Sequence, residues 1–157
     1  VIPFQAAVSN KQGKATMNVF PGGYGAWNTF GKPVFGKIAP VAVEKVDILS
    51  LDSFAKSQSI KKIDFLKIDV EGFERDVLEG ARELMSNNRV KYLSFEISDI
   101  TLKGAGRTSS EIFSILHEYG YKAYEFDPKK KKFVGPILES DSFYQNYFAS
   151  KLDMRKI

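Results

Sequence analysis

The stretch from Ile63 to Glu74 constrains the fold of this chain more than any other. Its first part, IDFLKIDV, carries apolar side chains on both faces of an extended segment, which predicts a strand covered on both sides in a parallel sheet. After Gly72 the apolar residues recur at helical spacing, so a helix is predicted to follow at once. Two carboxylates, Asp69 and Glu71, stand at the joint. Ligands of open α/β sheets bind beyond the carboxyl ends of the strands, so this joint predicts a functional site.

The hydrophobic pattern predicts strands alternating with helices from 41 to 126. We predict strands over residues 1–8, 15–20, 41–49, 63–70, 90–97, 121–126, 132–134 and 141–149. Helices are predicted from about 50, from 73 to about 88, and from 108 to about 120, with a polar loop over residues 99–107. Ser50 or Asp52 is expected to cap the first helix, and Thr108 and Glu111 form a capping-box pattern. We therefore expect a single α/β domain over residues 1–157, with a mainly parallel sheet and antiparallel additions at the ends of the chain.

Composition excludes several classes of function. There is no cysteine and one histidine, His117, so disulfides, thiolate chemistry and histidine metal clusters are excluded; His117 is expected at the surface. No apolar run approaches the roughly 20 residues of a membrane span, and no signal peptide is visible, so we expect a cytoplasmic protein without membrane contact. The net charge of +4 comes mainly from Lys129–Lys132. This run is either a solvated hairpin tip or a contact for nucleic acid or an anionic surface; without interleaved aromatic residues, we expect no nucleic-acid partner.

A glycine-rich loop over residues 21–33 carries the only tryptophan, Trp27. Long loops inside compact domains are often functional. Trp27 and Phe30 are therefore expected either to form a lid or substrate platform, or to fold back into the core.

Acidic side chains are expected to gather at one edge of the sheet. If the strands through Asp69 and Glu96 are neighbours, these two acids lie together with Glu71 and Asp99. Such carboxylates can act as a general base, because burial and like charges raise their pKa values, or can hold a hard divalent cation. Lys67 is expected to reach either a carboxylate or the site itself, since an unpaired lysine in a covered strand is costly. Structural alternatives remain: capping or loop bracing for Asp69, and the helix dipole for Glu71.

The sequence DFLKIDVEGFE at residues 64–74, followed by VLEGA at 77–81, resembles the central motif of the FkbM family of S-adenosylmethionine-dependent methyltransferases. Flanking segments resemble the family in the same order: VSNKQG at 8–13, LDSF at 51–54, FEI at 95–97 and NYFA at 146–149. The resemblance implies a Rossmann-like class I methyltransferase fold. It also implies methyl transfer from S-adenosylmethionine to a hydroxyl of a sugar or other small metabolite.

The resemblance also implies roles for particular residues. Asp69 would lie beside the sulfonium and the acceptor, and Asp69 or a nearby acid would orient or deprotonate the hydroxyl. The catalytic candidates are Asp69, Glu71, Lys67 and Glu96. Ala7, Val8 and Ser9 would lie near the adenine, and Trp27 would face the acceptor. No metal ligand is predicted.

The chain departs from the family at its beginning. The family's first two strands, with the glycine-containing cofactor loop and the ribose-binding acid, are expected before Val1 and are not present in this sequence. We therefore expect the C-terminal part of the fold, with a sheet edge exposed by the two missing strands. Either further residues complete the enzyme, or the chain is a non-catalytic module that forms homo-oligomers through this edge. A metal-dependent hydrolase that uses Asp69, Glu71 and Glu96 is a third, weaker interpretation.

Overall fold

The computed structural model describes residues 1–33, 38–140 and 142–157, which form a mixed α/β structure. The strands are β1 (Ala7–Val8), β2 (Gly13–Val19), β3 (Ala42–Leu49), β4 (Ile63–Ile68), β5 (Val90–Ser98), β6 (Lys122–Asp127), β7 (Lys132–Ile137) and β8 (Tyr144–Ser150). The α-helices are α1 (Leu51–Ser57), α2 (Glu74–Glu79), α3 (Arg82–Ser86), α4 (Asp99–Ala105) and α5 (Ser109–Glu118). Short 3-10 helices cover Gly25–Trp27 and Met154–Lys156.

The strands form two sheets, in the orders β1-β3-β2 and β4-β5-β8-β6-β7. Only the pairs β1–β3 and β4–β5 are parallel, whereas the other four pairs are antiparallel. The described residues therefore form mixed sheets, and a mainly parallel sheet is not confirmed. The helices between β5 and β6 do return the chain in the same direction, but β8 inserts between these strands and runs against both.

Strand β4 lies at an edge of its sheet, and among the described residues it pairs only with β5. Within the part of the chain that the structure describes, the expected cover on both faces of this strand is wrong. Ile68 is buried in the core, whereas Phe65, which points to the other face, is 55% exposed. Apolar residues on both faces indicate that a strand can be covered, but they do not say whether a neighbour is there. Strand β1 is likewise an edge strand of the three-stranded sheet.

The helix predicted from 73 to about 88 is instead two helices, broken between α2 and α3. The break lies where the backbone of Gly80 meets Ser9, since a Cβ added to Gly80 would lie 2.1 Å from the Ser9 carbonyl oxygen. Asp52 caps α3 rather than α1: its carboxylate accepts hydrogen bonds from the backbone N–H groups of Glu83 and Leu84, both at 2.9 Å. We call this contact between α1, the end of β1 and the α2–α3 break the helix joint.

Other boundaries were predicted with mixed success. The Ser50 hydroxyl caps α1 by accepting the Ser53 N–H, and the capping box of α5 is confirmed. The polar loop predicted over 99–107 is wrong, because most of it forms α4. The last predicted strand is β8, and Asp141, which began that prediction, lies outside the described residues.

The core packs between the five-stranded sheet and helices that include α2, α3 and α5. The rings of Phe95, Phe113 and Tyr147 meet there with centroids 5.3–5.9 Å apart. Such aromatic packing adds to simple area burial and helps to fix the sheet against α5. None of the described helices is both long and apolar enough to cross a bilayer.

Candidate active site

A cavity of about 600 Å³ opens beyond the carboxyl ends of the parallel strands β4 and β5. It is lined by Ala26, Trp27, Asp69, Glu71, Glu96, Ser98, Ile100, Thr101, Phe143 and Tyr144. Asp69 and Glu71 follow β4, and Glu96 lies near the end of β5. The structure thus brings together three of the four acids that the sequence placed at one sheet edge, whereas Asp99 is not part of the lining.

The turn over residues 69–74, which we call the acid turn, has a constrained backbone. Glu71 has a φ of +51°, a left-handed conformation that side chains other than glycine rarely adopt. Gly72 follows with a φ of +98°, and a Cβ there would lie 2.3 Å from the Thr101 carbonyl oxygen. Because Gly72 has no side chain, it permits this close approach of two backbone segments.

Glu74 is an acid of the turn that sequence reasoning missed. Its side-chain Oε1 accepts hydrogen bonds from the backbone N–H groups of Val70 at 3.4 Å and Gly72 at 3.3 Å. The residue is only 3% exposed, and its Oε2 has no hydrogen-bond partner among the described residues. From the other side of the turn, the Thr29 hydroxyl donates to the Glu71 carbonyl oxygen at 3.3 Å. The available signal was an acid at the start of a predicted helix, two residues after a glycine.

The electrostatics of the cavity favour a proton acceptor near neutral pH. Burial, followed by repulsion from Glu96, Asp69 and Glu74, raises the pKa of Glu71 to about 7. Burial also raises the pKa of Glu74. A carboxylate with such a pKa changes protonation state at the pH where many enzymes work, which suits it to general acid–base catalysis.

Lys67 lies on the exposed edge strand, outside the cavity lining. Its ammonium donates to Asp69 Oδ2, which confirms the expectation that this lysine reaches a carboxylate. Both side chains are substantially exposed, so the pair is solvated. Lys67 therefore contacts Asp69 from the outer side, while Asp69, Glu71 and Glu96 all line the cavity.

Aromatic side chains form a second wall of the cavity. The Trp27 ring packs against Tyr24 and Phe20, with centroids 4.7 and 6.2 Å away. Tyr144 donates its hydroxyl hydrogen to Glu96 Oε2 at 2.7 Å, and the neighbouring Phe143 is 61% exposed. Trp27 thus lines the cavity, as a platform would, while Phe20 beneath it is buried. For Phe143 and Tyr144 the sequence predicted only that they belong to a strand.

The remaining candidates lie elsewhere. Ala7, Val8 and Ser9 lie at or just beyond β1 in the other sheet and do not line the cavity, so their role near adenine stays a prediction. His117 is exposed on α5 and borders a separate, mostly apolar groove of about 540 Å³ between α5 and β7, where no acid cluster meets. The described residues contain no group of three or more histidine or acidic side chains arranged to hold a metal ion.

Comparison with known proteins identifies the family. Residues 1–123 match the methyltransferase FkbM domain, so the chain belongs to the FkbM methyltransferase family. The match contains the acid turn, Glu96 and Trp27, whereas Phe143 and Tyr144 lie beyond it. No curated protein and no solved structure shows significant similarity to the chain.

Proposed function

We propose that this methyltransferase transfers a methyl group from S-adenosylmethionine to a hydroxyl of a sugar or another small metabolite. The observation that carries the proposal is the meeting of Asp69, Glu71 and Glu96 with an aromatic wall in one cavity at the carboxyl ends of β4 and β5. Active sites of open α/β folds occupy this position.

The chemistry of the cavity fits the methyl donor at its reactive end. The sulfonium and amino groups of S-adenosylmethionine are cationic, and carboxylates beside aromatic rings attract cations. Asp69 would hold the cationic end, and Ala7, Val8 and Ser9 would lie towards the adenine. When bound, the cofactor supplies an electrophilic methyl group.

The chain's own residues would prepare the acceptor. In this mechanism Glu71 takes the proton of the attacking hydroxyl at its carboxylate and later releases it to water. Glu96, held by the Tyr144 hydroxyl, accepts a hydrogen bond from the acceptor and orients it. Trp27 packs against an apolar face of the acceptor. These residues contribute alignment and proton removal, which together lower the barrier of a bimolecular reaction.

The first test is calorimetric titration of the chain with S-adenosylhomocysteine. We expect binding in the micromolar range, weakened about tenfold by Asp69→Asn, as for the loss of one charged contact worth about 1.4 kcal/mol. Asp64→Asn is the matched control, because Asp64 is an exposed acid of the same strand, paired with Lys62 at 2.7 Å and absent from the cavity lining. Equal weakening by both variants, or no binding at millimolar ligand, would contradict the proposal.

The open edge of β4 favours a second candidate function. An unpaired strand edge with Phe65 exposed beside it offers hydrogen-bonding groups and apolar surface to another strand. A non-catalytic module that forms homo-oligomers through this edge would use both. In that case the mass in solution would rise with concentration, Phe65→Lys would reduce it to that of a monomer, and S-adenosylhomocysteine would not bind.

A further inference from the structure

Glu71 is held in its left-handed conformation by contacts on both sides. The amide before it, Val70 N–H, and the amide after it, Gly72 N–H, donate to the same oxygen, Oε1 of Glu74. The Glu71 carbonyl oxygen accepts from Thr29 Oγ1 at 3.3 Å. A strained backbone conformation persists only where its surroundings determine it. The shared acceptor of the two flanking amides is therefore well placed to keep this conformation.

We propose that Glu74 is a positioning residue of the methyltransferase: its carboxyl group clamps the amides on both sides of Glu71 and thereby fixes the Glu71 side chain in the cavity. This inference rests on the proposed function of Glu71 as the proton acceptor. Glu74 does not line the cavity, so it acts through Glu71 rather than on the acceptor.

The clamp accounts for the burial of Glu74, because no ion pair among the described residues does so. It is 3% exposed and has no salt bridge among the described residues. The neighbouring buried acid Asp76 differs, because Arg107 pairs with it through two hydrogen bonds of 3.0 and 3.1 Å. Burying an acid without a cation is costly. Backbone amides are the partners that Glu74 has, and they belong to the acid turn.

The test compares Glu74→Ala, Glu74→Gln and Asp76→Asn in the full chain. Glutamine keeps an oxygen that can accept both amides, whereas alanine removes the clamp. Asp76→Asn disturbs a second buried acid of α2 without touching the turn. Two measurements are made on each variant: steady-state methyl transfer, and hydrogen exchange of the Val70 and Gly72 amides relative to core amides of β5.

We expect Glu74→Ala to lower kcat about 100-fold with little change in the acceptor KM, because a displaced catalytic group costs about this much. Its Val70 and Gly72 amides should exchange at least about tenfold faster relative to β5, as local opening of the turn requires. Glu74→Gln should restore most of both properties. Asp76→Asn should accelerate exchange throughout the molecule but not selectively in the turn.

Equal loss of kcat in the alanine and glutamine variants would contradict the proposal that Glu74 clamps the turn. Unchanged exchange of the two amides in Glu74→Ala would contradict it as well. Wild-type chain that transfers no methyl group would instead refute the proposed function. The exchange measurement would then still decide whether Glu74 holds the turn, so the two failures are distinguishable.

Discussion

The acid turn and the turn at the tip of the β6–β7 hairpin, residues 127–132, are built from the same parts. Each contains a left-handed residue other than glycine: Glu71 at a φ of +51° and Lys131 at +49°. In each, one carboxyl oxygen accepts two backbone amides. Asp127 Oδ1 accepts those of Lys129 and Lys130 at 2.9 and 3.0 Å, as Glu74 Oε1 does in the acid turn.

The surroundings of the two turns shift the pKa values of their carboxyl groups in opposite directions. The hairpin tip is solvated and rich in lysine, and the amide of Lys130 is the main cause that lowers the pKa of Asp127. In the acid turn, burial and neighbouring acids raise the pKa values of Glu71 and Glu74. Two backbone amides with a lysine beside them favour a carboxylate in water, whereas two amides do not offset burial among like charges.

The largest expected effect tests the packing of the acid turn. Gly72→Ala combines a positive φ with a backbone contact of 2.3 Å, so we expect a loss of about 4 kcal/mol in unfolding free energy, measured by chemical denaturation. Gly106→Ala is the matched control, since its φ of +68° carries similar strain but nothing lies within 4 Å of the added Cβ. It should cost about 1 kcal/mol. Equal losses of unfolding free energy in the two variants would mean that backbone strain, and not packing against Thr101, causes most of the loss.

The next effect concerns the pH dependence of the acid turn. Because the pKa of Glu71 is raised to about 7 from an ordinary 4.5, the folded chain binds more protons than the unfolded chain between these values. Stability therefore falls as the pH rises from about 4.5 to about 7. Glu71→Gln should reduce this fall by on the order of 1 kcal/mol after allowance for solvent screening. The part that comes from the raised pKa of Glu74 should remain. The same variant should transfer methyl groups about 100-fold more slowly at pH 8.

Denaturation curves of both proteins at a series of pH values supply the check. A wild-type stability that rises over this range would contradict the raised pKa. A Glu71→Gln variant with unchanged transfer rate would remove Glu71 from the mechanism and leave Asp69 or Glu96 as the proton acceptor.

The smallest effect is expected at the hairpin tip. Asp127 has a lowered pKa, so its contribution to stability is present above its ordinary pKa of 3.8 and is lost as the pH falls through the lower folded value. Asp127→Asn should decrease the melting temperature slightly at neutral pH and not at all in strong acid. A decrease in stability at neutral pH as large as that caused by Gly72→Ala would show that the hairpin tip contributes more to stability than its exposure to solvent indicates.

The fold was predictable where local pattern and tertiary contact agree. Strands β3 and β5, the capping box of α5 and the lysine hairpin follow from periodicity and turn chemistry. The break at Gly80 and the cap from Asp52 were not predictable, because they depend on residues tens of positions away. The insertion of β8 between β5 and β6 also leaves no local mark in the sequence.

The residues of the candidate site likewise differ in whether the sequence could predict them. Asp69, Glu71 and Glu96 could be found because acids at the ends of adjacent strands meet at one edge of a sheet. Tyr144 reaches Glu96 only through the pairing of β5 with β8, in which Glu96 lies opposite Asn146. Glu74 was missed because an acid in the first turn of a helix already has an ordinary explanation in the helix dipole.

The helix joint has a consequence for how the molecule unfolds. Helix α3 has five residues, too few to persist alone, and two of its amides donate to Asp52, more than thirty positions earlier in the chain. Among residues 1–33, 38–140 and 142–157 no strand pairing joins the two sheets, yet detachment of α1 would uncap α3 beneath the core. The two sheets are therefore expected to unfold as one cooperative unit. Hydrogen exchange of the α3 amides would then report whether the three-stranded sheet, from which α1 follows, is intact.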